Sequence, residues 1–382
     1  MEENTVSIFN PKSILHYWLD ISQDLGLDYI RLLDYLSERD LGLLDIALSE
    51  RSIRQLYDFP LKTYYFTHII TIAKLKLSKS HLDWIVKRDL DLYIQRLEVS
   101  FNYSKVINFD KYDTILDNLK SIKLWFINVK VCHMLNSCCP NLQQLEILHG
   151  IDKLSNKSFK LICSECYQLT HIHIAEKIEN SAFLPSRILS YISKYCKQLQ
   201  VLKLEKLHGI DPPLIACLSN LTQLQMLNID FLGSDGSAFP IEIFASNSEL
   251  ITFCLNGHFQ HDPIMRGLGE HCHSLKYVIL SVFFLEILTD DGIIAMVRGC
   301  PLLKTIYISA SNTTDDFETT VSVTNAAMYA IAQYCRHLEY FRIISIVPLA
   351  YDNDGLDAIK HGCPHLRAIH KGMELYYASP TP

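Results

Sequence analysis

The residues of this 382-residue chain with the widest chemical repertoire are its twelve cysteines and sixteen histidines. Cys163-Ser164-Glu165-Cys166 is a C-x-x-C, and Cys132-His133 and Cys138-Cys139 add sulfur and imidazole donors of the kind zinc prefers. No second pair follows at finger-like spacing, so packing in a core accounts for these thiols better than a metal does. His171 and His173 alternate along a strand-like stretch and share one face, where they could seed a metal or pH-sensitive site or simply line a solvated surface. Gly267-Leu268-Gly269 is a lone G-x-G without the rest of a dinucleotide fingerprint. Nucleophile elbow, P-loop, H-E-x-x-H and kinase signatures are all missing. The expectation is therefore no enzyme, no cofactor and no metal.

The cysteines instead mark the elements around them. Cys139, Cys166, Cys196, Cys272, Cys300, Cys335 and Cys363 each precede by three residues a leucine that opens the pattern L-x-x-L-x-L. Those leucines are Leu142, Leu169, Leu199, Leu275, Leu303, Leu338 and Leu366, and copies without the cysteine open at Ile94, Leu119, Leu224 and Leu250. Successive anchors are 23 to 35 residues apart, the period of a leucine-rich-repeat array. Alternation within the motif predicts a strand. Residues four and seven before each cysteine are apolar, as in Met296 and Ile293 before Cys300, which predicts a helix ending at the cysteine with the thiol facing the core. In such a place Cys300→Ser should bury a hydroxyl that has no partner. The last apolar position of the motif fails only at Lys371, which fits a terminal cap.

Cys300-Pro301-Leu302-Leu303-Lys304-Thr305-Ile306-Tyr307-Ile308, preceded by Thr289-Asp290-Asp291-Gly292-Ile293, resembles the cysteine-containing repeat unit of the F-box/leucine-rich-repeat and Amn-type proteins. Cys139-Pro140-Asn141-Leu142 and Asp354-Gly355-Leu356 leading to Cys363-Pro364-His365-Leu366 are similar. The resemblance covers roughly residues 90–371 and implies an α/β solenoid, a horseshoe of about eleven strand–helix repeats, over residues 81–382. Residues 1–80 read as a small helical region. There Leu32-Leu33-Asp34-Tyr35-Leu36-Ser37-Glu38-Arg39-Asp40-Leu41 resembles the middle of an F-box. That likeness implies an adaptor-docking set of Leu33, Tyr35, Leu36, Leu41 and Leu44, a Skp-type adaptor, a cullin and a role in ubiquitin-dependent degradation. The alternative is a plain helical cap on a stand-alone binding scaffold or inhibitor.

Composition bounds the partners. An apolar fraction of 49% supports a large core, and a formal charge of −7 argues against nucleic acid or an acidic membrane as the main partner. Met1-Glu2-Glu3 does not open a signal peptide and no apolar run is long enough to span a bilayer, so a cytoplasmic or nuclear protein with reduced thiols is expected. The positions flanking the motif's second apolar residue should line the concave face and bind a protein. Toward the far end they bring Tyr277, Ile279, Tyr307, Tyr340 and Arg342, residue types enriched in binding hot spots. The three tyrosines are expected to form a ladder at equivalent positions, beside a polar acidic insertion at Ser311–Val323.

Overall fold

The computed structural model describes residues 96–99 and, with short gaps, 117–377. The chain divides into two compact units, and the second takes in everything from Lys120 onward. The strands are β1 (Arg96–Val99), β2 (Ser121–Leu124), β3 (Gln144–Ile147), β4 (His171–Ala175), β5 (Ala182–Phe183), β6 (Val201–His208) and β7 (Met226–Phe231). They continue as β8 (Thr252–Gly257), β9 (Tyr277–Phe283), β10 (Thr305–Ser311), β11 (Tyr340–Ser345), β12 (Ala368–Lys371) and β13 (Glu374–Tyr377). The helices between them are α1 (Asn156–Glu165), α2 (Ile188–Tyr195), α3 (Pro212–Ala216), α4 (Glu242–Ser246), α5 (His261–His271), α6 (Asp290–Gly299), α7 (Asn325–Tyr334) and α8 (Asn353–Gly362).

From β2 to β12, leaving aside the two-residue β5, each strand pairs in parallel with the next. Parallel neighbours need a crossover, and the helices and turns of each repeat supply it. The result is an α/β leucine-rich-repeat solenoid. Its parallel series stops at β12, where β13 turns back antiparallel with Lys371 opposite Glu374.

The motif's second apolar residue is in register from strand to strand: Leu145, Ile172, Leu202, Leu227, Phe253, Val278, Ile306, Phe341 and Ile369. Each of these is at most 1% exposed, so one continuous core runs between sheet and helices. The final anchor, Leu366, is only half-buried, as expected where no further repeat covers it.

The repeat cysteines close the helices. The N–H of Cys166, Cys196, Cys272, Cys300, Cys335 and Cys363 each donates to the carbonyl four residues earlier, and the leucine three residues later donates back to the cysteine carbonyl. Several of the thiols face carbonyl acceptors. Cys300 Sγ lies 3.3 Å from Cys272 O and 3.5 Å from Leu268 O, carbonyls at the helix end of the preceding repeat. Cys166 likewise points at Cys139 O and Leu135 O, both at 3.7 Å. This corrects the expectation that a hydroxyl at residue 300 would meet no partner: a carbonyl oxygen has two lone pairs, and those at the preceding helix end can take the thiol besides their backbone N–H. Burial pushes the Cys132, Cys166, Cys272 and Cys300 thiols up to about 12, which makes them poor nucleophiles.

Where the cysteine is missing before Leu250, Asn247 does the work. Its Oδ1 accepts from Leu224 N–H and its Nδ2 donates to Ile243 O, both at 3.0 Å, in a side chain only 1% exposed. On the helix side, acidic residues stitch neighbouring repeats. Asp290 accepts from Thr324 N–H at 2.8 Å and from its Oγ at 2.6 Å, and Asp262 accepts the same pair from Thr289. The acidic insertion lies outside the described residues over 312–322, but its last residue, Val323, is fully buried and belongs to the core.

Helix α6 packs so closely on α5 that a Cβ at Gly299 would overlap the carbonyl of Gly269. Gly→Ala inside a helix ordinarily gains about 1 kcal/mol. Here Gly299→Ala should instead destabilise by about 1–3 kcal/mol. Leu275→Ala, which empties a fully buried anchor, should cost about 2–5 kcal/mol. Denaturant melts of both variants check the two values; a stabilised Gly299→Ala would mean that the helices do not meet there.

Candidate functional site

Side chains in a strand alternate between faces, so burying the motif's apolar residues against the helices turns their neighbours to the open face of the sheet. Cross-strand pairing then sets which of these neighbours meet. Two different surfaces result.

Over β2 to β8 the face carries a network of ion pairs and hydrogen bonds. Lys123 Nζ lies 3.5 Å from Glu146 Oε1, and the same oxygen is 3.2 Å from His173 Nδ1. The other ring nitrogen of His173 makes an ionic contact of 3.4 Å with Glu205 Oε2, while Asn228 donates to Glu205 Oε1 at 3.4 Å. Asn256 donates to Asp230 at 2.9 Å. Burial disfavours the charged imidazole of His173, but Glu146 and Glu205 outweigh it and hold its pKa above 6.5. The hydrogen bond from His173 in turn lowers the Glu146 carboxyl below its usual 4.5. His171 shares the face but not the network: it contacts Thr170 Oγ at 2.9 Å, and burial followed by Lys203 lowers its pKa.

Over β9 to β11 the face is open. Tyr277 and Ile279 are 38% exposed and Tyr340 45%. Tyr307 and Arg342 are half-buried, and the Arg342 guanidinium stands 5.8 Å above the Tyr307 ring centre. The expected ladder of three tyrosines does not form. Register places Tyr277, Thr305 and Tyr340 in one row and Ile279, Tyr307 and Arg342 in the next. Tyr307 lies two residues further along its strand than the other two, so the three rings form a triangle with Thr305 between its upper corners. Arg342 makes no ion pair among the described residues, and its buried Nε has no hydrogen-bond acceptor. The neighbouring cations differ: Glu339 takes both Lys304, at 2.9 Å, and Arg367, at 3.4 Å. His370, beside Arg342 on β12, is held below 6.5 by burial and then by that guanidinium.

The sequence pattern located Tyr277, Ile279, Tyr307, Tyr340 and Arg342 on this face, and the sheet brings all five together. Missed were Glu205 and Asp230, which lie one residue beyond the L-x-x-L-x-L window, and their pairing with His173 and Asn256. Leu33, Tyr35, Leu36, Leu41 and Leu44 lie outside the described residues. Among the described residues no group of three or more His, Cys, Asp or Glu is placed to hold a metal, and no helix is long and apolar enough to cross a membrane.

No protein-family model and no curated relative matches the sequence. Solved structures do. A complex of Rad7 and Elc1 from yeast aligns at 15% identity and a TM-score of 0.42, over 87% of this chain and 92% of that one. The TLR13–ssRNA13 complex aligns at 16% and 0.42, over 70% of this chain and 35% of that one. An internalin of Listeria monocytogenes aligns at 10% and 0.39, over 71% and 80%.

The His173 network gives a signed pH dependence. A raised histidine pKa stabilises the fold fully below pH 6.5, and the effect is lost as pH rises through the folded value. A lowered Glu146 pKa stabilises above pH 4.5, and that is lost as pH falls through its folded value. Wild type should therefore exceed His173→Gln in Tm most between these two limits, by the equivalent of at most about 1 kcal/mol for so solvated a cluster. The gap should shrink in alkaline buffer; a gap independent of pH would mean that the imidazole is neutral in the network.

Proposed function

We propose that this protein is a non-enzymatic recognition subunit that holds a protein substrate on the open sheet face over β9 to β11, while its N-terminal region docks a Skp-type adaptor of a cullin–RING ubiquitin ligase. The observation that carries the first half is the contrast along one sheet. Charged side chains over β2 to β8 are ion-paired with one another through Glu146, His173 and Glu205, whereas Tyr277, Ile279 and Tyr340 are exposed around an Arg342 that has no ion pair among the described residues. Apolar rings and an unpaired cation in water are what a partner would cover with gain. The second half rests on the F-box-like segment containing Leu33, Tyr35, Leu36, Leu41 and Leu44. A stand-alone scaffold or inhibitor would share the recognition face and lack the docking.

Affinity capture from cell extract separates the two. Recovery of adaptor and cullin with the full chain, lost in Leu36→Asp and Leu41→Asp variants whose repeat domain still melts cooperatively, is the expected result. Capture of a protein without adaptor or cullin favours the scaffold. On the open face, Tyr307→Ala should weaken binding of the captured substrate by about 2 kcal/mol or more, and Lys123→Ala by much less. The reverse order would move the recognition surface to the other end of the sheet.

A further inference from the structure

Resting on that reading of the open face, we propose that its occupant is an extended protein segment carrying a single Asp or Glu, whose carboxylate pairs with Arg342 while an apolar side chain three residues away lies over Tyr277 and Ile279.

The charge argument comes first. A guanidinium is a fork of donors with no acceptor of its own, and it is best satisfied by a planar carboxylate. Arg342 sits on the sheet with a ring beneath it and a donor buried without an acceptor. Glu339, three residues earlier in the chain, is committed to Lys304 and Arg367. The next position of the row is His370, a base that is never anionic and so offers no counter-charge. Arg342 is thus left for a group from outside.

The same layout selects the kind of anion. A phosphate dianion is ordinarily met by several cations. Lys304 and Arg367 are held on the one carboxylate of Glu339, and Arg342 itself takes a group of charge −1. The number of acidic residues is limited too. The chain carries a net charge of −7, which repels a long acidic tract. Screening over about 8 Å at physiological salt leaves a local carboxylate free to feel Arg342.

Geometry sets the spacing. Ile279 and Arg342 stand two strands apart in one row, with Tyr307 between them. At 4.7–4.9 Å per strand that is roughly 10 Å. In a polyproline-II-like segment, residues three apart share a face and lie about 9 Å from one another. An apolar residue and an acidic one at that spacing therefore reach both sites without bending the segment, and the rigid sheet adds no ordering cost of its own.

The test uses the full-length chain and short fluorescent peptides with Leu followed three residues later by Glu, on a Ser/Pro background, read by fluorescence polarisation. Partner peptides carry Gln, Lys or phosphoserine in place of the Glu. The expected result is that the Glu peptide binds about tenfold tighter than the Gln and Lys peptides, and tighter than the phosphoserine one. Arg342→Gln should remove the difference, Arg342→Glu should reverse it in favour of Lys, and Lys123→Ala should leave it intact. A preference for phosphoserine, or equal binding of the Glu and Lys peptides, overturns the proposal. If Tyr307→Ala still disrupts capture of the cellular partner while no peptide discriminates by charge, the recognition face stands and the acidic segment fails. If neither Tyr307→Ala nor Arg342→Gln affects that capture, both fail.

Discussion

One backbone device sets the register on which everything else depends. At the entry to each strand, two consecutive N–H groups donate to a single carbonyl of the preceding repeat. Lys276 and Tyr277 share Ile251 O, Lys304 and Thr305 share Lys276 O, and Glu339 and Tyr340 share Lys304 O, at 2.8 to 3.1 Å. The same pairing begins at Lys120 O, which takes Gln143 and Gln144, and ends at Glu339 O, which takes Arg367 and Ala368. A one-residue slip at any of these carbonyls would send every later apolar side chain to the solvent face. The C-x-x-L turn delivers the chain to that carbonyl, because the leucine N–H folds back onto the cysteine C=O just before the strand begins. Side chains on the open face are therefore placed by backbone bonds that do not involve them.

The motif was legible for this reason. Anchor, cysteine and alternation all serve the register, and each recurs at a fixed offset in the sequence. What was not legible follows from the same logic. Reading Tyr277, Tyr307 and Tyr340 as a ladder ignored the offset of two residues within the motif, and in a sheet two residues is a whole row. Asn247 escaped notice because it replaces a weakly polar thiol with an amide, a change that only its two satisfied hydrogen bonds make tolerable at full burial. The bulge in β6 between Leu204 and Leu207, with Lys206 at φ 57°, has no glycine or asparagine to announce it. Nor can a sequence say which charges are paired. Glu339 and Arg342 are three residues apart, yet one holds two cations and the other has no counter-ion.

Pairing is also what separates the two halves of the face. His173 is held by carboxylates from the strands on either side, so the charges of the network it centres are paired within it. A ligand there would have to break contacts already made, and each broken hydrogen bond to a charged group forfeits about 1.5–3 kcal/mol before anything is gained. Over β9 to β11 nothing needs breaking. The exposed rings lose only water, and Arg342 gains the acceptor it lacks. Affinity on a rigid sheet follows such differences more closely than it follows area.

An unsatisfied buried donor costs about 1–3 kcal/mol, which in a small cooperative domain would be a sizeable share of total stability. A solenoid confines that cost to nearest neighbours, because each repeat touches only the two beside it. The units carrying Tyr277, Tyr307 and Arg342 are also those whose helices are most tightly stitched. Asp262 to Thr289, Asp290 to Thr324 and Asn325 to Asp352 tie α5, α6, α7 and α8 in sequence, and the close approach of Gly299 to Gly269 joins two of them further. Strong bonds on the helix side thus underlie the strands whose open face is left unsatisfied. The unpaired donor falls where neighbouring helices are tied together, and a partner that covers the surface finds its side chains already in place.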